Sequence, residues 1–315
     1  MRNSPSRHRY RGPYGRAQRW IRRRALVLTT HGTDPSAAAA WVARIVGPIA
    51  ALRELTGGWT SSMLAFQPEH GDEVVLRLMD TEPWRTHGAA LTARESEVQQ
   101  MLERTPVPAP HSVALDQDGK QCGYPAHLMT LLPGAIEPMR FDDGSIAALA
   151  KLLQAVHQVY PVDSIRAYQS WAWEAKFQVP DWATMPNLWR EAFDLLRNDP
   201  PRFEPSFIHR DFQMRNVLWS GTEIAGLVDW VETSIGPAWL DVAHCCSHMS
   251  IEPGGLEAAT AFAAAYSDLT GLEAQPYFDV MDLVGFLSAP GRPALVTDPE
   301  KQLRLEQRLH AVLKA

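Results

Sequence analysis

The sequence predicts an α+β protein in two lobes, a β-rich one over residues 41–132 and a mainly helical one over residues 133–315. Three observations carry this expectation. Between Leu55 and Leu131, short apolar stretches alternate with glycine- and proline-marked turns; from Ser145 onward, apolar residues recur at helical spacing; and Pro133-Gly134 divides the two regimes. Residues 1–40 precede the first hydrophobic period and read as an arginine-rich, disordered extension.

Trp41, Ile45, Ile49 and Leu52 recur at helical spacing and predict the first helix. Leu55 to Ser62, followed by Met63 to Phe66, reads as strand, glycine turn, strand, and Val74 to Met79 as a third strand. Leu91, Val98, Met101 and Leu102 mark a helix that ends before Pro106, Pro108 and Pro110. Strands are expected at Ser112 to Asp116 and Ala126 to Leu131. In the second lobe, Ile146, Leu149, Leu152, Leu153 and Val156 define an amphipathic helix ended by Pro161. Val217 to Trp219 and Ile224 to Val228 flank Ser220-Gly221 as a hairpin. The loosely spaced Trp171, Trp173, Trp182 and Trp189 are expected to pack in the core.

Composition narrows the class. The chain of 315 residues is 45% apolar, without an apolar run long enough to span a bilayer and without the apolar stretch of a secretory signal, so a cytoplasmic protein is expected. Cys122, Cys245 and Cys246 lack CxxC spacing, which argues against a disulfide framework or a zinc site and for buried thiols. The net charge of −6 is uneven: residues 1–24 hold nine arginines and no acid, leaving −15 for the rest. An acidic body suits solubility and also a cationic substrate, whereas nucleic-acid binding through the arginine tail is disfavoured.

Phosphoryl transfer needs a carboxylate to orient the attacking hydroxyl and oxygen ligands for the magnesium that spans the nucleotide phosphates. His209-Arg210-Asp211, four residues, then Asn216 has the residue types and spacing of a kinase catalytic loop, with Asp211 as base and Asn216 as a metal ligand. The hairpin after Asn216 folds Asp229 back toward it as the second metal-binding carboxylate. Eleven residues separate Asp229 from Asp241, too few for a protein kinase's activation segment, so a small-molecule acceptor is favoured.

His209 to Asn216, with Leu227-Val228-Asp229-Trp230 and Ile235 to Asp241, resembles the aminoglycoside phosphotransferase and choline kinase-like family, from about residue 42 to the end. The resemblance implies a protein-kinase-like fold and transfer of phosphate from ATP, with GTP as the other candidate donor, in the presence of Mg2+. It also implies structural roles for Asp241 and His209. Gly57 and Gly58, with Thr60, Ser61 and Ser62, can present backbone N–H groups and hydroxyls to phosphates. Arg77 interrupts an apolar strand where the family has a lysine for the phosphates. Its partner is expected on the next helix, where Glu95 lies roughly 60° from the centre of the apolar stripe and Glu97 roughly 100°. Met129 to Leu132 is similar to the family's hinge, which implies adenine held by backbone groups of Met129 and Leu131.

The acceptor is less defined. A cationic, antibiotic-like molecule is expected, bound by Glu232 and by Asp279 and Asp282, which are three apart and share one side of a helix. A metabolic kinase for a choline-, sugar- or homoserine-like acceptor, and a non-catalytic nucleotide-binding protein, are the alternatives.

Overall fold

The computed structural model describes residues 36–55, 60–160, 164–198, 200–289 and 294–314. It opens with α1 (Ser36–Val46) and a five-stranded antiparallel sheet ordered β1 (Ile49–Leu55), β2 (Ser62–Pro68), β3 (Val74–Leu78), β5 (Ala126–Thr130), β4 (Ser112–Asp116), with α2 (Gly88–Leu102) inserted between β3 and β4. The first helix is a correction to the sequence reading. It begins at Ser36 and ends at Val46, and Ile49 and Leu52 belong to β1. Pro48 disfavours helix at the residue before it, and Gly47 takes φ 90°, so the chain turns there into a strand whatever the spacing of its apolar residues.

Strand β3 explains the asymmetry of its lobe. Val74, Leu76 and Leu78 point into one cluster with Leu64, Phe66, Trp41 and Val42. The alternate face carries Arg77 toward α2, where Glu95 is buried and Glu97 exposed, as the helical wheel requires. One face thus builds the core and the other equips the cleft.

The second lobe packs α3 (Asp143–His157), α4 (Pro186–Leu196), α5 (Trp239–Ser250), α6 (Gly255–Thr270), α7 (Pro276–Gly285) and α8 (Pro299–Lys314) around one core. Helix α5 lies at its centre, with every residue buried except the half-buried His248. Two small sheets complete the lobe. One joins β6 (Ala135–Ile136), β8 (Val217–Ser220) and β9 (Glu223–Leu227); the other pairs β7 (Pro205–Ile208) with β10 (Ser234–Pro237). Gly226 lets the linker between the lobes settle on the hairpin, because a Cβ there would collide with the Leu132 side chain. Trp189 is fully buried and Trp182 packs edge-on against it, but Trp173 is 39% exposed. Cys122, Cys245 and Cys246 are free and buried. No helix among the described residues is long and apolar enough to cross a membrane.

Candidate active site

The loop after β7 is held from below. Asp241, in the first turn of α5, accepts hydrogen bonds from the backbone N–H groups of His209 and Arg210, both at 2.7 Å, and His157 Nε2 lies 3.2 Å from the same carboxylate. These bonds hold Arg210 in a left-handed conformation, φ 71°, that a non-glycine residue adopts at a cost. His209 Nδ1 accepts the Asp211 N–H at 3.2 Å, so its proton sits on Nε2, which donates to Val228 O at 3.0 Å. Burial lowers the His209 pKa and keeps the ring neutral, a state suited to bracing the loop.

Asp211 is fixed by three side chains. His244 Nε2 and Gln213 Nε2 reach Oδ1 at 2.9 and 2.8 Å, and Asn216 Nδ2 donates to Oδ2 at 2.9 Å and to the Asp211 carbonyl at 2.8 Å. His244 is held in turn by Asp282, whose Oδ1 lies 2.9 Å from Nδ1. Burial opposes charge on both partners, but the two carboxylates push the His244 pKa up to about 9, and the imidazolium holds Asp211 well below the usual carboxylate range. Asp211 is therefore an oriented, ionised carboxylate, 21% exposed.

Asn216 and Asp229 come together at the open end of the hairpin. Val217 pairs with Leu227, and the Val228 N–H donates to Asn216 O at 2.9 Å. Asp229, at φ 70°, is the second strained non-glycine residue of the site. Burial raises its pKa to about 6; Arg77 opposes that rise and the Asp211 charge adds to it. A half-buried carboxylate with a second negative charge beside it gains from a cation, and Asn216, with Nδ2 committed to Asp211, offers its carbonyl oxygen. Two hard oxygen donors beside a second carboxylate fit Mg2+.

Arg77 spans the cleft between the lobes. Its Nε and Nη2 hold both oxygens of Glu95 at 3.0 and 3.1 Å, Nη1 reaches Ser61 Oγ at 3.2 Å, and Nη2 also reaches Asp229 Oδ1 at 3.0 Å. His127 Nδ1, 3.0 Å from Glu95, completes the cluster and helps bring the Glu95 pKa down to about 2 against burial. Of the expected phosphate-binding turn, Gly57 and Gly58 lie outside the described residues. Ser62 does not offer its groups to a phosphate here, because its N–H and hydroxyl both go to Asp80, at 3.1 and 2.7 Å. At the hinge, Leu131 donates its N–H to Glu73 O at 3.2 Å, and Met129 lies within β5 with its sulfur against Gln99.

The expected acceptor carboxylates are a correction. Asp279 and Asp282 do share one side of α7, but that side faces inward: Asp279 takes Trp239 Nε1 at 2.6 Å and Arg308 at 3.0 Å, and Asp282 is buried behind His244. Helix α7 is apolar around almost its whole circumference, so acids on it are buried with partners. Glu232 is paired with Arg166, and Arg94 of α2 donates to the neighbouring Val231 O at 2.6 Å. A cavity of about 670 Å³ lined by Arg202, Phe203, Glu204 and Gln275 shares no residue with the site.

A two-lobed fold with this loop, hairpin and interlobe arginine defines a phosphotransferase of the protein-kinase-like class. The chain belongs to the phosphotransferase enzyme family, whose model matches residues 51–278. A homoserine kinase of Methylobacterium nodulans is 26% identical over 217 residues, 61% of this chain and 67% of that protein. The acyl-CoA dehydrogenase family member 10 of Mus musculus is 24% identical over 174 residues, 49% of this chain, and the chain spans only 16% of its length. Among solved structures, aminoglycoside phosphotransferase APH(4)-Ia superposes with a TM-score of 0.64 at 14% identity, covering 89% of this chain and 99% of that one. An amicoumacin kinase in complex with AMP-PNP and Ca2+ gives 0.56 at 12% identity, covering 89% and 93%.

Proposed function

We infer that the protein transfers the γ-phosphate of ATP to a hydroxyl of a small molecule. The reading is carried by Asp211, an ionised carboxylate fixed through both oxygens beside Asn216 and Asp229. Asp211 orients the acceptor hydroxyl and receives its proton as the oxygen attacks phosphorus. Asn216 and Asp229 hold Mg2+, which when bound neutralises charge on the phosphates. Arg77, set by Glu95, draws the nucleotide phosphates toward the cleft, and its reach to Asp229 ties that charge to the metal-binding end of the hairpin. Asp241 and His209 keep the loop in shape.

A cationic antibiotic-like acceptor is one reading of the acidic body. A second, a compact metabolic acceptor of the homoserine or choline type, is favoured by the ion pair of Glu232 with Arg166 and by the burial of Asp279 and Asp282, which leave none of these carboxylates unpaired for a polycation. A turnover screen with MgATP against aminoglycosides, homoserine, choline and simple sugars separates the two. Acceptor-dependent ADP release supports the kinase reading; nucleotide binding without turnover of any acceptor speaks for a binding protein.

A further inference from the structure

We propose that Asp211, His244 and His248 form a second metal site, selective for zinc-like transition ions over Mg2+, whose occupation shuts the enzyme off. Each residue offers one ligand atom, and the three atoms lie within 4.8 Å of one another. His244 and His248 are four apart on α5, so one helix face presents both rings, with centroids 4.5 Å apart. The donor set is two imidazole nitrogens and one carboxylate oxygen. That combination suits Zn2+ or Co2+, whereas Mg2+ takes oxygen ligands such as those of Asn216 and Asp229.

The surroundings of His244 are those of a metal ligand. Its Nδ1 is tied to Asp282, which fixes the ring and aims Nε2 at Asp211; a carboxylate behind the far nitrogen is the usual support of a metal-bound histidine. The His248 ring packs edgewise on His244 and against Phe286, and makes no side-chain hydrogen bond to another described residue. Three protein ligands leave the fourth position of a tetrahedral ion to water. The ion replaces the proton that His244 shares with Asp211, and one proton leaves to solvent per metal bound. Asp211, once ligated, can no longer accept the acceptor hydroxyl. Only this inhibitory consequence rests on the kinase reading.

The test titrates the whole protein with Co2+ in excess Mg2+, following the visible absorption, and measures transfer with saturating MgATP against added Zn2+. The expected result is a one-to-one spectrum with the intense bands of a four-coordinate site, displaced by Zn2+, together with loss of transfer over the same concentrations. In His248→Ala and His248→Gln, transfer without Zn2+ persists, while Co2+ affinity and Zn2+ sensitivity fall by at least about 10-fold, the scale that even an outer partner of a metal ligand contributes. Absence of the one-to-one bands in the unsubstituted protein, or equal binding by both variants, overturns the proposal. The Co2+ spectrum needs no turnover, so its failure is distinct from failure of the kinase reading.

Discussion

Arg77 Nη2 donates to Asp229 Oδ1 at 3.0 Å, so a strand of the first lobe grips the end of the hairpin of the second. The same guanidinium is clamped by both oxygens of Glu95. Replacing Arg77 with Met removes the charge proposed to attract the phosphates and keeps the stem. Arg77→Met is expected to raise the nucleotide KM by about 10- to 100-fold with little change in the acceptor KM. Initial-rate kinetics in both substrates check this, and equal rises would point to a general loss of structure.

Asn216→Ala and Asp229→Ala each remove one oxygen donor from the pair at the hairpin's open end. Each is expected to shift the half-saturating Mg2+ concentration upward by about 10-fold or more at fixed ATP. A magnesium titration that superimposes on the unsubstituted protein would take the metal away from these residues.

His244 donates to Asp211 from a position set by Asp282, so its effect on transfer is expected to run through Asp211's orientation and charge. His244→Gln is expected to lower kcat by about 10-fold or more, with both KM values close to unchanged, because the loss falls on the carboxylate in the transition state. Asp282→Asn should give a smaller fall in the same direction. A change in KM alone would assign His244 to binding.

Glu306 of α8 accepts from Trp189 Nε1 at 2.9 Å, from the N–H groups of Thr184 and Met185 at 3.0 Å, and from the Thr184 hydroxyl, and so receives the start of α4. Glu306→Gln is expected to cost about 2–3 kcal/mol, since donors that met a charge now meet an amide. These bonds hold the Glu306 pKa below its ordinary value despite burial. Its contribution is therefore full above the unfolded carboxylate's pKa, about 4.3, and fades as pH falls through the folded value. The gap in Tm between the two proteins should narrow on acidification, as thermal melts at several pH values would show.

The fold was legible where local pattern decides it. Strand β4 begins and ends where the sequence placed it, and β3 could be divided into a core face and a cleft face because alternation is a property of the strand itself. That Asp211, Asn216 and Asp229 lie near one another was legible because one loop and one hairpin join them covalently. Asp279 and Asp282 were misread for a definite reason: a spacing of three says that two side chains share a side, and only the packing of α5 and α8 says that the side is inward. The apolar residues on every other face of α7 were the available signal. His244 was missed because 33 residues separate it from Asp211, and their contact exists only once α5 has packed beneath the loop.

The proposed role of Asp211 is to orient a hydroxyl for phosphate transfer. Its most direct test is the rate of phosphate transfer from labelled ATP to the best acceptor of the screen, compared between the unsubstituted protein and Asp211→Asn, with nucleotide binding measured on both. The expected result is a loss of turnover of about 10²- to 10⁴-fold with nucleotide affinity retained. Undiminished transfer by Asp211→Asn would contradict it.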